Sequence, residues 1–96
     1  GASFTFTSGV LSHDPIRSGA SAALVNGALD SFVRSAAIEL PRGLRVNSVS
    51  PTVLVEAMDS YAPYFRGFKP VAGADVGLAY AKSVEGLQTG QTFHVG

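Results

Sequence analysis

A long run of helical periodicity, closed by a hard stop and followed at once by a strand, constrains this chain more than anything else in it. The stretch runs from Gly19 to Pro51 and reads GASAALVNGALDSFVRSAAIELPRGLRVNSVSP. Ala20, Ala23, Leu24, Ala28, Phe32, Ala36 and Leu40 recur at steps of three and four, the spacing of one helix face. Val25, Leu29 and Val33 widen that stripe, which predicts a helix that buries a broad side. Ser18 is placed to cap its start, and Asp30 stands four residues before Arg34 as a weakly supporting pair. Pro41 stops the helix and Gly43 releases the chain, so the helical part spans about 33 Å. Leu44 to Val49 then reads as a strand. A helix feeding a strand through so short a turn is half of a βαβ unit.

The flanks extend the same alternation. Ser3 to Ser8 sets Phe4 and Phe6 between small hydroxyl residues, the pattern of a strand with one tightly packed face. Gly9 and Ser12-His13-Asp14-Pro15 mark a loop. Val53 to Tyr61 has room for a short helix ended by Pro63, and Tyr64 to Pro70 is an aromatic and basic loop. Ala72 to Val84 reads as a second long helix stopped by Gly86, and Gly90 to Val95 as a last strand. The order β-α-β-α-β predicts one α/β domain over residues 1–96, with three parallel strands and flanking helices, half of a doubly wound sheet. No Gly-x-Gly-x-x-Gly or Gly-x-x-x-Gly-x-Gly turn follows a first strand, and Gly1 precedes no helix.

Composition removes several classes of function. Seven basic and seven acidic residues cancel and form no basic run, which argues against nucleic acid as a partner. There is no cysteine, so disulfides and thiolate metal sites are excluded. His13 and His94 lie far apart in sequence, each without a second ligand at helical spacing, and no metal site is expected. No apolar run approaches the ~20 residues of a membrane span and no basic leader opens the sequence, so a soluble cytoplasmic protein is the expectation. The charged fraction of 15% is low against the usual ~25%, which suggests further burial against another surface.

The central stretch resembles the active-site helix and following strand of the short-chain dehydrogenase/reductase family. FVRSAAIEL and RVNSVSP carry the likeness, Ser3 to Gly9 is similar to the family strand that ends in a catalytic serine, and Gly90 to Gly96 (GQTFHVG) resembles its last strand. The resemblance implies the C-terminal half of a Rossmann-like fold and NAD- or NADP-linked hydride exchange with a carbonyl or alcohol. On that alignment the family's catalytic tyrosine falls on Ala22 and its lysine on Asn26. The implied roles are Ser8 on the substrate carbonyl, Asn26 on the cofactor ribose, and Pro51 and Leu54 along the nicotinamide. Thr52 and Glu56 replace a glycine and a threonine of the family segment Pro-Gly-x-Ile-x-Thr.

Each of these residues has a plainer reading beside it. Ser8 also suits a hydroxyl that satisfies loop backbone, and Asn26 with Gly27 suits close helix packing. Ser12-His13-Asp14 with Ser8 suggests a hydrolase, but triads are assembled from separated elements and no Gly-x-Ser-x-Gly elbow is present. Met58, Tyr61, Tyr64, Phe65 and Phe68 fall where the family has a substrate-covering loop, and they equally suit a core or subunit contact. Tyr61 or Tyr64 is a candidate replacement for the missing acid.

Two functional classes follow. One is a part of an NAD(P)-dependent oxidoreductase, inactive as this chain alone because the phosphate-binding half and the Tyr/Lys pair are missing; no dinucleotide is expected to bind the chain by itself. The other is a non-enzymatic module derived from a reductase, for dinucleotide sensing or oligomerisation. In both, the expected partners are a second copy of the chain through Gly19–Leu40, giving a homodimer or tetramer, and a missing N-terminal half.

Overall fold

The computed structural model describes residues 2–96. Gly1, weighed above as a phosphate-turn glycine, lies outside the described residues. Three parallel strands form one sheet in sequence order: β1 (Ser3–Thr7), β2 (Arg45–Pro51) and β3 (Thr92–Val95). The register pairs Thr7 with Val49 and Pro51 with Val95. This is the predicted α/β architecture. Two long helices cross between the strands, α1 (Ala20–Glu39) and α3 (Gly73–Glu85), and a single turn, α2 (Met58–Tyr61), lies between them.

The helices take opposite faces because strand side chains alternate. On one face Ser48 donates to the Asp30 carboxylate of α1 at 3.1 Å, and Phe6 meets Phe32 edge-on at 5.8 Å. On the other, Ser83 of α3 bonds the Thr5 hydroxyl at 2.7 Å and accepts from Asn47 at 3.2 Å, while Tyr80 bonds Thr7. Between the layers lie Val33, Val46, Val49, Val53 and Val76. Asn47, Ser48, Ser50 and Ser83 are buried with them, so the centre of the sheet is held by small polar side chains as well as by valines.

Several local expectations are corrected. Ser18 does not cap α1: Gly19 occupies the cap position with no side-chain bond, and Ser18 sits in the left-handed region at φ 66°. Asp30 does not pair with Arg34, which donates to Ser31 instead, because the Asp30 carboxylate turns inward to Ser48. The broad apolar side of α1 is not buried. Its packed face runs through Asn26, Asp30, Val33 and Ala37, leaving Leu24 75%, Val25 56% and Phe32 53% exposed. Phe4 and Phe6 are likewise half-exposed, since among the described residues no strand pairs the outer edge of β1. The short helix is a single turn that starts later than Val53 and ends at Tyr61 as expected, with Pro63 in the 3-10 turn Ala62–Tyr64 that follows it.

After β2 the chain leaves the sheet and comes back to almost the same point. Leu54 and Val71 form a parallel bridge, with the Val55 amide on the Val71 carbonyl at 2.8 Å and the Val71 amide on the Val53 carbonyl at 3.0 Å. The aromatic residues of the excursion stack edge to face, Tyr61 on Phe65 and Phe65 on Phe68.

Candidate functional site at the carboxyl ends of the strands

The ends of β1 and β2, the start of α1 and the aromatic excursion border an open cavity of about 230 Å³. Gly9, Val10 and Leu11 form one wall, Thr52, Val53 and Leu54 a second, Tyr61 and Phe65 a third, and Asn26 of α1 completes the lining. Gly9 is needed here for space and not for its dihedral, since its backbone is extended (φ −174°). A Cβ at Gly9 would stand 2.8 Å from the Asn26 side-chain nitrogen, so the bare backbone lets α1 settle against the end of β1. Among the lining residues only Tyr61 carries an ionisable group.

Of the four residues singled out in the sequence, Asn26 and Leu54 lie on this cavity. Ser8 is one residue behind the wall, 8% exposed, its amide on the Val49 carbonyl at 2.9 Å. Pro51 ends β2 and is half-buried. Continuing the register sets Ser8 beside Ser50, and the hydroxyls of Ser8, Ser50 and Thr52 are enclosed with no hydrogen-bond partner among the described residues. Ala22 is exposed in the early turns of α1 and brings no polar side chain. Tyr64 is exposed and does not line the cavity.

Two readings of the histidines are resolved by geometry. Ser12 bonds His13 Nδ1 at 3.3 Å, but no base is placed on Ser8, so the adjacent Ser-His-Asp run makes no triad with it. His13 and His94 are not isolated: their rings meet edge-on, 4.8 Å between centroids. Among the described residues no group of three or more His, Cys, Asp or Glu side chains is arranged to hold a metal ion. The wall formed by Gly9, Val10 and Leu11 escaped the sequence reading, and its one available signal was the glycine directly after a strand.

Fold and site together define an α/β protein of Rossmann-like architecture, with a crevice outside the carboxyl ends of its parallel strands. No family model matches the sequence, and no match was found among curated proteins. Solved structures do match. The Listeria innocua protein lin1944 is 54% identical, with a TM-score of 0.96 over 98% of this chain and 47% of its own. A small-chain dehydrogenase is 28% identical, with a TM-score of 0.78 over 99% of this chain and 43% of its own. A small-chain dehydrogenase in complex with NADPH is 25% identical, with a TM-score of 0.79 over 97% of this chain and 48% of its own. These neighbours include members of the short-chain dehydrogenase/reductase family, and the chain matches the C-terminal half of that fold. It spans about half the length of the solved structures it matches.

Proposed function

We propose that the chain is the C-terminal half of an NAD(P)-dependent oxidoreductase of the short-chain type, inactive as this chain alone. The observation that carries the reading is the small, mostly apolar cavity at the strand ends, bordered by the single amide of Asn26. Its size and walls suit the nicotinamide end of a dinucleotide, which supplies hydride chemistry when bound. No phosphate-binding turn is encoded between a strand and a helix, so the rest of such a ligand needs another half of the fold. The chain's own residues divide the remaining work. The Asn26 carboxamide serves a ribose hydroxyl and Leu54 flanks the ring, both from the cavity wall. The family likeness assigns Pro51 to the ring and Ser8 to the substrate carbonyl oxygen, from positions just behind that wall.

Ala22 has no proton to give and Asn26 has no charge with which to tune an acid. A positioned general acid is worth roughly 10²–10⁴-fold in rate, so carbonyl reduction by this site is slow for its family. The altered Ala22, Asn26 and Glu56 favour a second reading, a reductase-derived module that senses a dinucleotide or assembles. For either reading we propose self-association through Gly19–Leu40, supported by the exposed Leu24, Val25 and Phe32.

One experiment with two arms tests the function. The 96-residue chain titrated calorimetrically with NADPH and NADH should give no saturable heat. In the complete protein, Ala22→Tyr with Asn26→Lys should raise carbonyl reduction by about 10²-fold. Micromolar binding by the chain alone, or a native rate that the double substitution lowers, overturns the reading.

A further inference from the structure

The excursion between Leu54 and Val71 supplies the aromatic wall of the cavity, and it is tied to the body at its base. The first tie is the Leu54–Val71 bridge with its two backbone bonds. The second is a side chain. Glu56 lies in the 3-10 turn Val55–Ala57, and both its carboxylate oxygens stand 3.1 Å from the amide of Gly73, the first residue of α3. Ala72 occupies the cap position of α3 and offers no side-chain acceptor. The Gly73 amide is one of the donors a helix start leaves unpaired, and a carboxylate there also meets the positive end of the helix dipole. A Cβ on Gly73 would come within 2.9 Å of the Glu56 carboxylate, so the glycine leaves that oxygen its room.

We propose that Glu56 is a positioning residue: its clasp on Gly73 sets the Tyr61–Phe65 wall over the cavity, and its carboxylate is committed to α3 and not to a ligand. This rests on the reading of the cavity as a ligand site, but its test needs no ligand and so fails or succeeds separately. Glu56 does not line the cavity, whereas Tyr61 and Phe65, on the segment it anchors, do. Releasing the clasp frees the near end of the excursion while β2 and its core contacts stay in place.

Arg66–Gly67 is an exposed tryptic site within the excursion, and Lys69 is shielded from trypsin by Pro70. In the complete protein under native conditions, Glu56→Ala should speed cleavage at Arg66 by roughly fivefold to tenfold, the scale of losing one helix cap. The Gly73 amide should exchange faster, with the Val46 and Val49 amides of β2 unchanged. Glu56→Gln, which keeps an acceptor oxygen, should restore most of the protection. Gly73→Pro, which removes the donor at a position where proline suits a helix, should match Glu56→Ala at Arg66. Native cleavage in Glu56→Ala, no rescue by glutamine, or exchange that rises equally in β2 overturns the proposal. Failure of Glu56→Ala to fold does so too, since the clasp would then belong to global stability.

Discussion

Asn47 has no exposed surface, and its side-chain amide makes three hydrogen bonds. Its nitrogen donates to Ser83 Oγ at 3.2 Å and to the Gln88 carbonyl at 3.0 Å, and its oxygen accepts from the Gln91 amide at 3.0 Å. One side chain therefore ties β2 to α3 and to the loop that enters β3. Asn47→Ala should lower the stability of the protein by about 2–4 kcal/mol, because each buried backbone group left unpaired costs roughly 1–3 kcal/mol. A shift of the urea midpoint with an unchanged slope checks this. Asn47→Asp should not rescue it, since a carboxylate cannot donate. Little of this was legible beforehand. RVNSVSP announces a strand by its valines, but an asparagine within it says nothing of its partners, which lie 36 to 44 residues further on. Asn26 and Leu54 were legible only through a family likeness, and the enclosure of Ser8 follows from register and packing that no local pattern encodes.

Helix α1 shows how far periodicity carries and where it stops. Its C-terminal end was legible, because Pro41 and Gly43 are local punctuation, and Gly43 takes the left-handed φ of 70° that glycine suits. Its buried face was legible only in part. Counting apolar residues selects Leu24, Phe32 and Val33, of which Val33 alone is buried; the sheet side also takes Asp30 and Ala37, because Ser48 offers Asp30 a bond and small residues let the layers approach. The approach is tight at Gly90, which stands at φ 71° just before β3 and donates to the Val46 carbonyl at 2.7 Å. A Cβ there would meet the Ala37 Cβ at 2.9 Å. Gly90→Ala should therefore cost more than the ~1–2 kcal/mol of a left-handed alanine alone. Adding Ala37→Gly should return part of the loss, giving a double-mutant coupling of about 0.5–2 kcal/mol in denaturant titrations. Strict additivity would show that α1 and the β3 entry do not press on each other.

At the scale of the molecule, apolar surface is left over. Phe4, Phe6 and Phe32 line a groove with Ala36, Leu40 and Val46 beside the open edge of β1, and Leu24 and Val25 continue the exposed stripe along α1. A parallel sheet is normally covered on both faces and an open edge is a template for pairing, so this side suits further chain and a second copy. Sedimentation velocity on the complete protein should show a dimer or tetramer, and Leu24→Glu with Val25→Glu should shift it towards monomer without unfolding it. A monomer at micromolar concentration, indifferent to both changes, would refute the interface. The paired ends of the excursion, Leu54 against Val71, carry a consequence of another sort. A segment that departs and returns through one doorway can be lengthened, shortened or exchanged while the sheet keeps its register, since each doubling of such a loop adds only about 0.6 kcal/mol of closure entropy. In this architecture what the cavity admits is free to diverge between relatives by cut and paste, with the strands beneath it left alone.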